Sequence, residues 1–230
     1  MRPVKPLMII ILSAILAGCH NSETKINFPG KQDLYFDYKI TGAEEQNYVS
    51  WGLEYRLGGP EGKGILIDSP GRVMIDGELI PADSTRKSGV YYETVKLMSE
   101  VTGKHRIEFI NKDLKNYSEE VDFEPFTLQS GLPAEIERHP FNIGLKDFPS
   151  SKDNLRLVMI DTSFKSTGIN EIVKVYNGTI TINQFMLDRL KNGPIILKLY
   201  LEEERPIKNA PAGGMLTILY SLERGFNLVD

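Results

Sequence analysis

An all-β fold is predicted from three features of the sequence. Apolar residues recur with a period of two through most of the chain. Two Asx-Gly dipeptides, Asp76-Gly77 and Asn177-Gly178, each sit between such alternating runs. Sustained helical periodicity is nearly missing. Composition agrees with an ordered globular chain: of 230 residues, 41% are apolar and 25% charged. With 27 Lys and Arg against 31 Asp and Glu, there is no basic excess to form a nucleic-acid footprint.

The strands follow in order. Leu34, Phe36, Tyr38 and Ile40 alternate with Tyr35, Asp37 and Lys39, and Val49, Trp51, Leu53, Tyr55 and Leu57 alternate with Ser50, Gly52, Glu54 and Arg56. Each run has one apolar face for a core and one polar face. Asp76-Gly77 joins Arg72–Ile75 to Glu78–Ile80, and Asn177-Gly178 joins Ile172–Tyr176 to Thr179–Ile182, because both dipeptides accept the positive φ of a two-residue hairpin turn. Gly103 opens a strand over His105–Ile110, and Glu120–Leu128 reads as the next one. One short helical turn is expected over Asn183–Leu190, ended by Gly193. Ile195–Leu201 and Met215–Leu222 are the last strands.

The order hairpin, glycine-opened strand, polar loop and final strand occurs twice, a weak internal repeat of roughly 100 residues. Between the copies, Gln129-Ser130-Gly131-Leu132-Pro133 and His139-Pro140 break strand pairing and read as a linker. The expected domains are therefore 27–130 and 131–230, each the size of an immunoglobulin-like sandwich. By architecture the chain resembles the tandem immunoglobulin-like domains of bacterial envelope lipoproteins, a likeness that carries over no functional residues.

The amino terminus carries the more specific motif. Arg2 and Lys5 precede an apolar run from Leu7 to Leu16, which is the length of a secretory signal and too short to span a bilayer. Leu16-Ala17-Gly18-Cys19 then resembles the lipobox of bacterial lipoproteins, and Cys19 is the only cysteine in the chain. That resemblance implies a signal peptide over 1–18, lipidation of Cys19 and a tether over 19–26. Several acyl chains would make the anchor stable where one would not. His20 stands where an inner-membrane retention aspartate would be, so the resemblance implies the outer membrane.

No catalytic motif is found. His20, His105 and His139 are far apart and in no metal-ligand spacing, with His105 expected at the exposed end of its strand. Gly58–Gly64 lacks the leading glycine and the Ser or Thr of a phosphate-binding loop. Ser84-Thr85-Arg86-Lys87 and Ser22-Glu23-Thr24-Lys25 match the SxxK spacing of penicillin-binding enzymes but have no partner motifs. Asp68, Asp76, Asp83 and Glu202-Glu203-Glu204 read as solvated residues of turns and a strand end, since no spacing here announces a calcium loop. No metal, cofactor or enzymatic activity is expected.

For a sugar site, the single tryptophan, Trp51, falls on the apolar phase of its strand and reads as core. Tyr35, Tyr92 and Tyr200 are assigned to polar phases and are the candidate ligand-binding residues. Two functions stay open. One is a non-catalytic accessory or adaptor that binds another envelope protein through a sheet face or edge. The other is a glycan-binding accessory lipoprotein of an outer-membrane polysaccharide uptake system. Both share the anchor, so Cys19→Ser is expected to move the protein from the membrane pellet to the soluble fraction. Retention in the pellet after carbonate washing would overturn the lipoprotein reading.

Overall fold

The computed structural model describes residues 34–85 and 89–230, so Cys19, the lipobox, His20 and the tether lie outside the described residues. In the first half the strands are β1 (Leu34–Ala43), β2 (Tyr48–Leu57), β3 (Lys63–Gly64), β4 (Arg72–Ile75), β5 (Glu78–Leu79), β6 (Ala82–Thr85), β7 (Gly89–Leu97), β8 (Gly103–Ile110) and β9 (Asn116–Phe123). Hydrogen bonding orders them as β1-β2-β7-β6 in one sheet and β5-β4-β8-β9 in the other. This is the A-B-E-D and C′-C-F-G arrangement of an immunoglobulin sandwich. In the second half, β10 (Thr127–Leu128), β12 (Phe141–Lys146) and β15 (Thr179–Ile182) form one sheet. Opposite it, β13 (Asn154–Asp161), β14 (Ile169–Lys174), β16 (Gly193–Pro206) and β17 (Gly214–Val229) pair in the order β14-β13-β16-β17, with β11 (Glu135–Glu137) added in parallel to β17. The fold is all-β, two immunoglobulin-like sandwiches in tandem.

The period-two reading places the core correctly. Phe36, Tyr38 and Ile40 from β1, with Val49, Trp51, Leu53 and Tyr55 from β2, are all buried. They meet Val73, Ile75, Ile107, Phe109 and Val121 from the facing sheet. Phe109 packs 4.7 Å from Tyr55 and 5.3 Å from Phe36 between ring centroids. Such contacts add roughly 0.5–1.5 kcal/mol each beyond their buried area.

Both Asx-Gly turns form, with positive φ at Asp76, Gly77, Asn177 and Gly178. Only the first makes the expected hairpin, β4–β5. At the second, Tyr176 and Thr179 share a single bridge, after which β14 pairs with β13 and β15 with β12. That turn is a corner where the chain passes from one sheet to the other, because each strand finds its ladder elsewhere. The expected strand over Glu120–Leu128 is likewise divided into β9 and β10, with Pro125, which has no N–H for a ladder, between them. The helical turn is present as α1 (Gln184–Asp188), capped by the Asn183 side chain accepting from Met186 N–H at 3.0 Å. Among the described residues no helix is long and apolar enough to cross a membrane.

The segment expected as a linker is tied into the second sandwich. Gln129 N–H donates to Gly144 O at 2.8 Å, Asn227 N–H donates to Ala134 O at 2.7 Å, and β11 follows at once. The two sandwiches also share a sheet. β1 runs parallel to β17 in continuous register from Phe36↔Gly214 to Ala43↔Ser221. Gly214 lets the strands approach, since a Cβ there would stand 2.6 Å from Phe36 O. Arg205 of β16 reinforces the joint, pairing with the Glu119 carboxylate and donating to Glu120 O on β9. Tyr220 stacks edge-on against Phe123 at 6.0 Å and Phe126 at 5.4 Å. A protease site inserted after the exposed Gly131 and then cleaved is therefore expected to leave two fragments that co-elute on gel filtration. Separation without denaturant would show that the β1–β17 ladder does not hold the halves together.

Candidate functional site: a recess in the first sandwich

The Asp76-Gly77 turn stands beside the start of β8. Asp76 N–H donates to Arg106 O at 2.9 Å, and Asp76 Oδ1 accepts from Arg106 N–H at 2.8 Å. The second carboxylate oxygen, Oδ2, lies 2.7 Å from His105 Nδ1. Burial pulls the Asp76 carboxyl upward, but the hydrogen bonds from His105 and Arg106 N–H, with the charge of Lys96, hold it below its ordinary value. An ionised carboxylate only accepts, so hydrogen bonding assigns the proton of neutral His105 to Nδ1 and leaves a lone pair on Nε2.

The His105 ring stands edge-to-face with Trp51, centroids 5.3 Å apart and planes at 77°. Its side chain is only 11% exposed, and Trp51 on β2 is fully buried. The exposed strand-end position expected for His105 is corrected accordingly: the turn carboxylate and the indole enclose the ring. Trp51 and its register partner Thr94 come from one sheet, Ile75 and His105 from the other, and Glu100 and Val101 from the 3-10 turn (Met98–Glu100) and the residue after it. Together with Asp76, Glu78 and Lys96 they line a recess of about 360 Å³, within the range of small-ligand pockets. Lys96 on β7 crosses it to pair with Glu78 on β5 at 2.5 Å. Two enclosed nitrogens of residues that line this recess, Trp51 Nε1 and His105 Nε2, have no hydrogen-bond partner among the described residues.

The tyrosines of the sequence reading are not brought together. Tyr35 is half-buried on β1 opposite Arg56, and Tyr200 is half-buried on β16 between Arg156 and Ser221. Tyr92 is a correction. It is 3% exposed, its ring packs 5.6 Å from Tyr55, and its hydroxyl accepts from Ile67 N–H at 2.7 Å. Burial, followed by that hydrogen bond acting the other way and by the charge of Asp68, pushes its phenol up to about 12. The period failed there because both phases of β7 mix apolar and polar residues, and register puts Tyr92 opposite buried Leu53 while Val95 and Leu97 face out.

His139 is exposed beside Glu137. Asp68 and Asp83 take separate partners, Lys112 and Tyr91, and Glu202 and Glu203 pair with Arg156 and Lys152. Among the described residues no group of three or more His, Cys, Asp and Glu is arranged to hold a metal ion. The recess escaped the sequence reading because its parts lie on six separate elements and the turn at Asp76. The one available signal was a hairpin aspartate close to a strand that starts with histidine.

A second surface is the outer face of the shared sheet. One row of register partners runs Ile172, Arg156, Tyr200, Ser221, Ala43, Tyr48 and Leu97, crossing both sandwiches. Tyr48, Leu97 and neighbouring Val95 form its most apolar end, 41%, 51% and 56% exposed.

Comparison with solved structures finds similarity to the two immunoglobulin domains of DIP-gamma, at 12% identity over 84% of this chain and 99% of that one, TM-score 0.25. Dpr11 IG1 bound to DIP-gamma is similar at 11% identity over 84% of this chain and 99% of that chain, TM-score 0.25. A bacterial ice-binding adhesin matches at 9% identity over 86% of this chain and 65% of that one, TM-score 0.28. At these scores the likeness carries no argument, and the immunoglobulin assignment rests on the strand order itself. No protein-family model matches the sequence, and no curated protein matches it.

Tyr92→Phe keeps the buried ring but leaves the Ile67 N–H without its acceptor. A loss of roughly 1–3 kcal/mol is expected in urea unfolding, the usual cost of an unpaired buried donor. An unchanged midpoint would mean that solvent reaches that amide.

Proposed function

We propose that this chain is a non-catalytic, lipid-anchored binding module of the cell envelope, made of a signal peptide (1–18), a tether (19–26) and sandwiches over 27–130 and 131–230. Cys19 carries the lipid, the protein sits at the outer membrane, and its partner is another envelope protein that docks on the outer face of the shared sheet. The lipobox resemblance supports the anchoring. The observation that carries the docking reading is the unbroken row of outward side chains across both sandwiches. A platform continued by main-chain pairing loses little entropy on binding. Its exposed Tyr48, Val95 and Leu97 cluster, with Arg156 and Tyr200 farther along, has the mix of apolar, aromatic and arginine side chains that interfaces favour.

The test is mild crosslinking and affinity purification of the tagged, lipidated protein from its own membranes. One protein in near-stoichiometric yield is expected, lost when Val95 and Leu97 are both replaced by Glu in a chain that still melts cooperatively. Undiminished capture by that double variant would rule out the sheet face as the interface, and a partner-free preparation would rule out the adaptor role.

A further inference from the structure

The adaptor reading makes no use of the recess over Trp51 and His105. Buried polar groups without partners are rare enough that each needs an explanation, and here two belong to residues that line one recess. Their chemistry is complementary when the imidazole is neutral: indole Nε1–H can only donate, and His105 Nε2, with the Nδ1 proton held by Asp76, then accepts. One group that both accepts and donates satisfies the pair, as a water or a ligand hydroxyl does. The walls narrow the class further. Asp76, Glu78 and Glu100 outnumber Lys96, which disfavours an anion. No third metal ligand is grouped here among the described residues, and no serine or cysteine stands among the lining residues as a nucleophile.

We propose that this recess is a binding site for a neutral polyhydroxylated ligand of the sugar class, one hydroxyl of which bridges Trp51 Nε1 and His105 Nε2. Both nitrogens are closed to solvent, so a ligand reaches them only when lining side chains shift, and one lining contact that can shift is the Lys96–Glu78 pair. It is a single ion pair between flexible side chains, with Glu78 63% exposed, and costs little to open. The carboxylates of Glu78 and Glu100 then line the mouth as acceptors for further hydroxyls. Trp51 acts through its edge, as a donor, and needs no exposed ring face. The proposal shares Val95 with the protein-docking face, since Val95 also lines the recess, but it rests on Trp51 and His105 and survives that reading's failure.

Because Trp51 is the only tryptophan, its fluorescence and its indole N–H resonance report on this site alone. The full chain in detergent micelles would be titrated with glucose, galactose, mannose and N-acetylglucosamine, and with their short oligosaccharides, into the tens of millimolar. A saturable movement of the indole resonance with at least one sugar is expected. Stronger binding of oligosaccharides would identify a chain end as the ligand, and equal binding a free sugar. Asp76→Asn suits the left-handed turn position, yet presents an amide N–H to His105 Nδ1 and so moves the ring proton to Nε2. It is expected to weaken binding at least about tenfold, the size of one lost hydrogen bond, in a chain that still melts cooperatively. Trp51→Phe, followed by calorimetry, provides the same test through the donor. Overturning results would be no saturable response to any sugar, meaning that the recess holds water only, or wild-type affinity in both variants.

Discussion

Parallel pairing of β1 with β17 is the constraint on which the rest of the molecule depends. Two immunoglobulin-like sandwiches joined end to end through a short connection would be free to swing, the default for adjacent domains. Here the first strand of one sandwich is also the neighbour of the last strand of the other, in register from Phe36 to Ala43. Main-chain hydrogen bonds have little compliance, so the two sheets become one surface. Gly214 permits the approach, and Arg205, bound to both the Glu119 side chain and the Glu120 carbonyl, guards the joint from the facing sheet. An edge strand left unpaired on either sandwich would have exposed a row of donors and acceptors to any passing chain, and the pairing removes both edges at once.

Much of this was legible in the chain because period-two alternation is a direct record of which face is buried. β1 and β2 were read residue by residue, down to the inward Trp51, since their outward positions carry Asp37, Lys39, Ser50 and Glu54. β7 was misread where the signal vanished: with Tyr92 inward and Val95 and Leu97 outward, both phases mix apolar and polar residues, and only the pairing to β2 decides between them. Turn chemistry was equally local in scope. Asn177-Gly178 specified a turn and could not specify which strands would pair on either side of it. The joint between sandwiches left almost no trace, because a parallel ladder between residues far apart in sequence is made by backbone atoms that every residue has.

The recess was invisible for a different reason. An aspartate in a hairpin turn, a histidine at a strand start and a core tryptophan are each ordinary, and their meaning lies in the geometry that sets Asp76 on one side of the imidazole and Trp51 on the other. The carboxylate does more than pair. By fixing the proton on Nδ1 it turns the far side of the ring into an acceptor, beside a donor that has no other use. A sandwich built for stability alone would replace both members with apolar side chains of similar shape, since an unpaired buried polar group costs more than none.

Chain direction connects these features to the proposed anchor. A lipid on Cys19 would hold the protein from the Leu34 end of β1, where Leu34 O accepts from Ala212 N–H in the loop between β16 and β17. From there β1 rises by about 3.3 Å per residue. Ile40, the register partner of Trp51, therefore stands roughly 20 Å from Leu34, and Ala43, the partner of Tyr48, about 30 Å. The apolar end of the shared face and the recess beneath it are thus both carried toward the end of β1 away from Leu34, the end that an anchor on Cys19 would leave farther from the membrane. Because β1 is also the strand that fuses the sandwiches, the same segment that would receive the anchor fixes the two surfaces relative to each other.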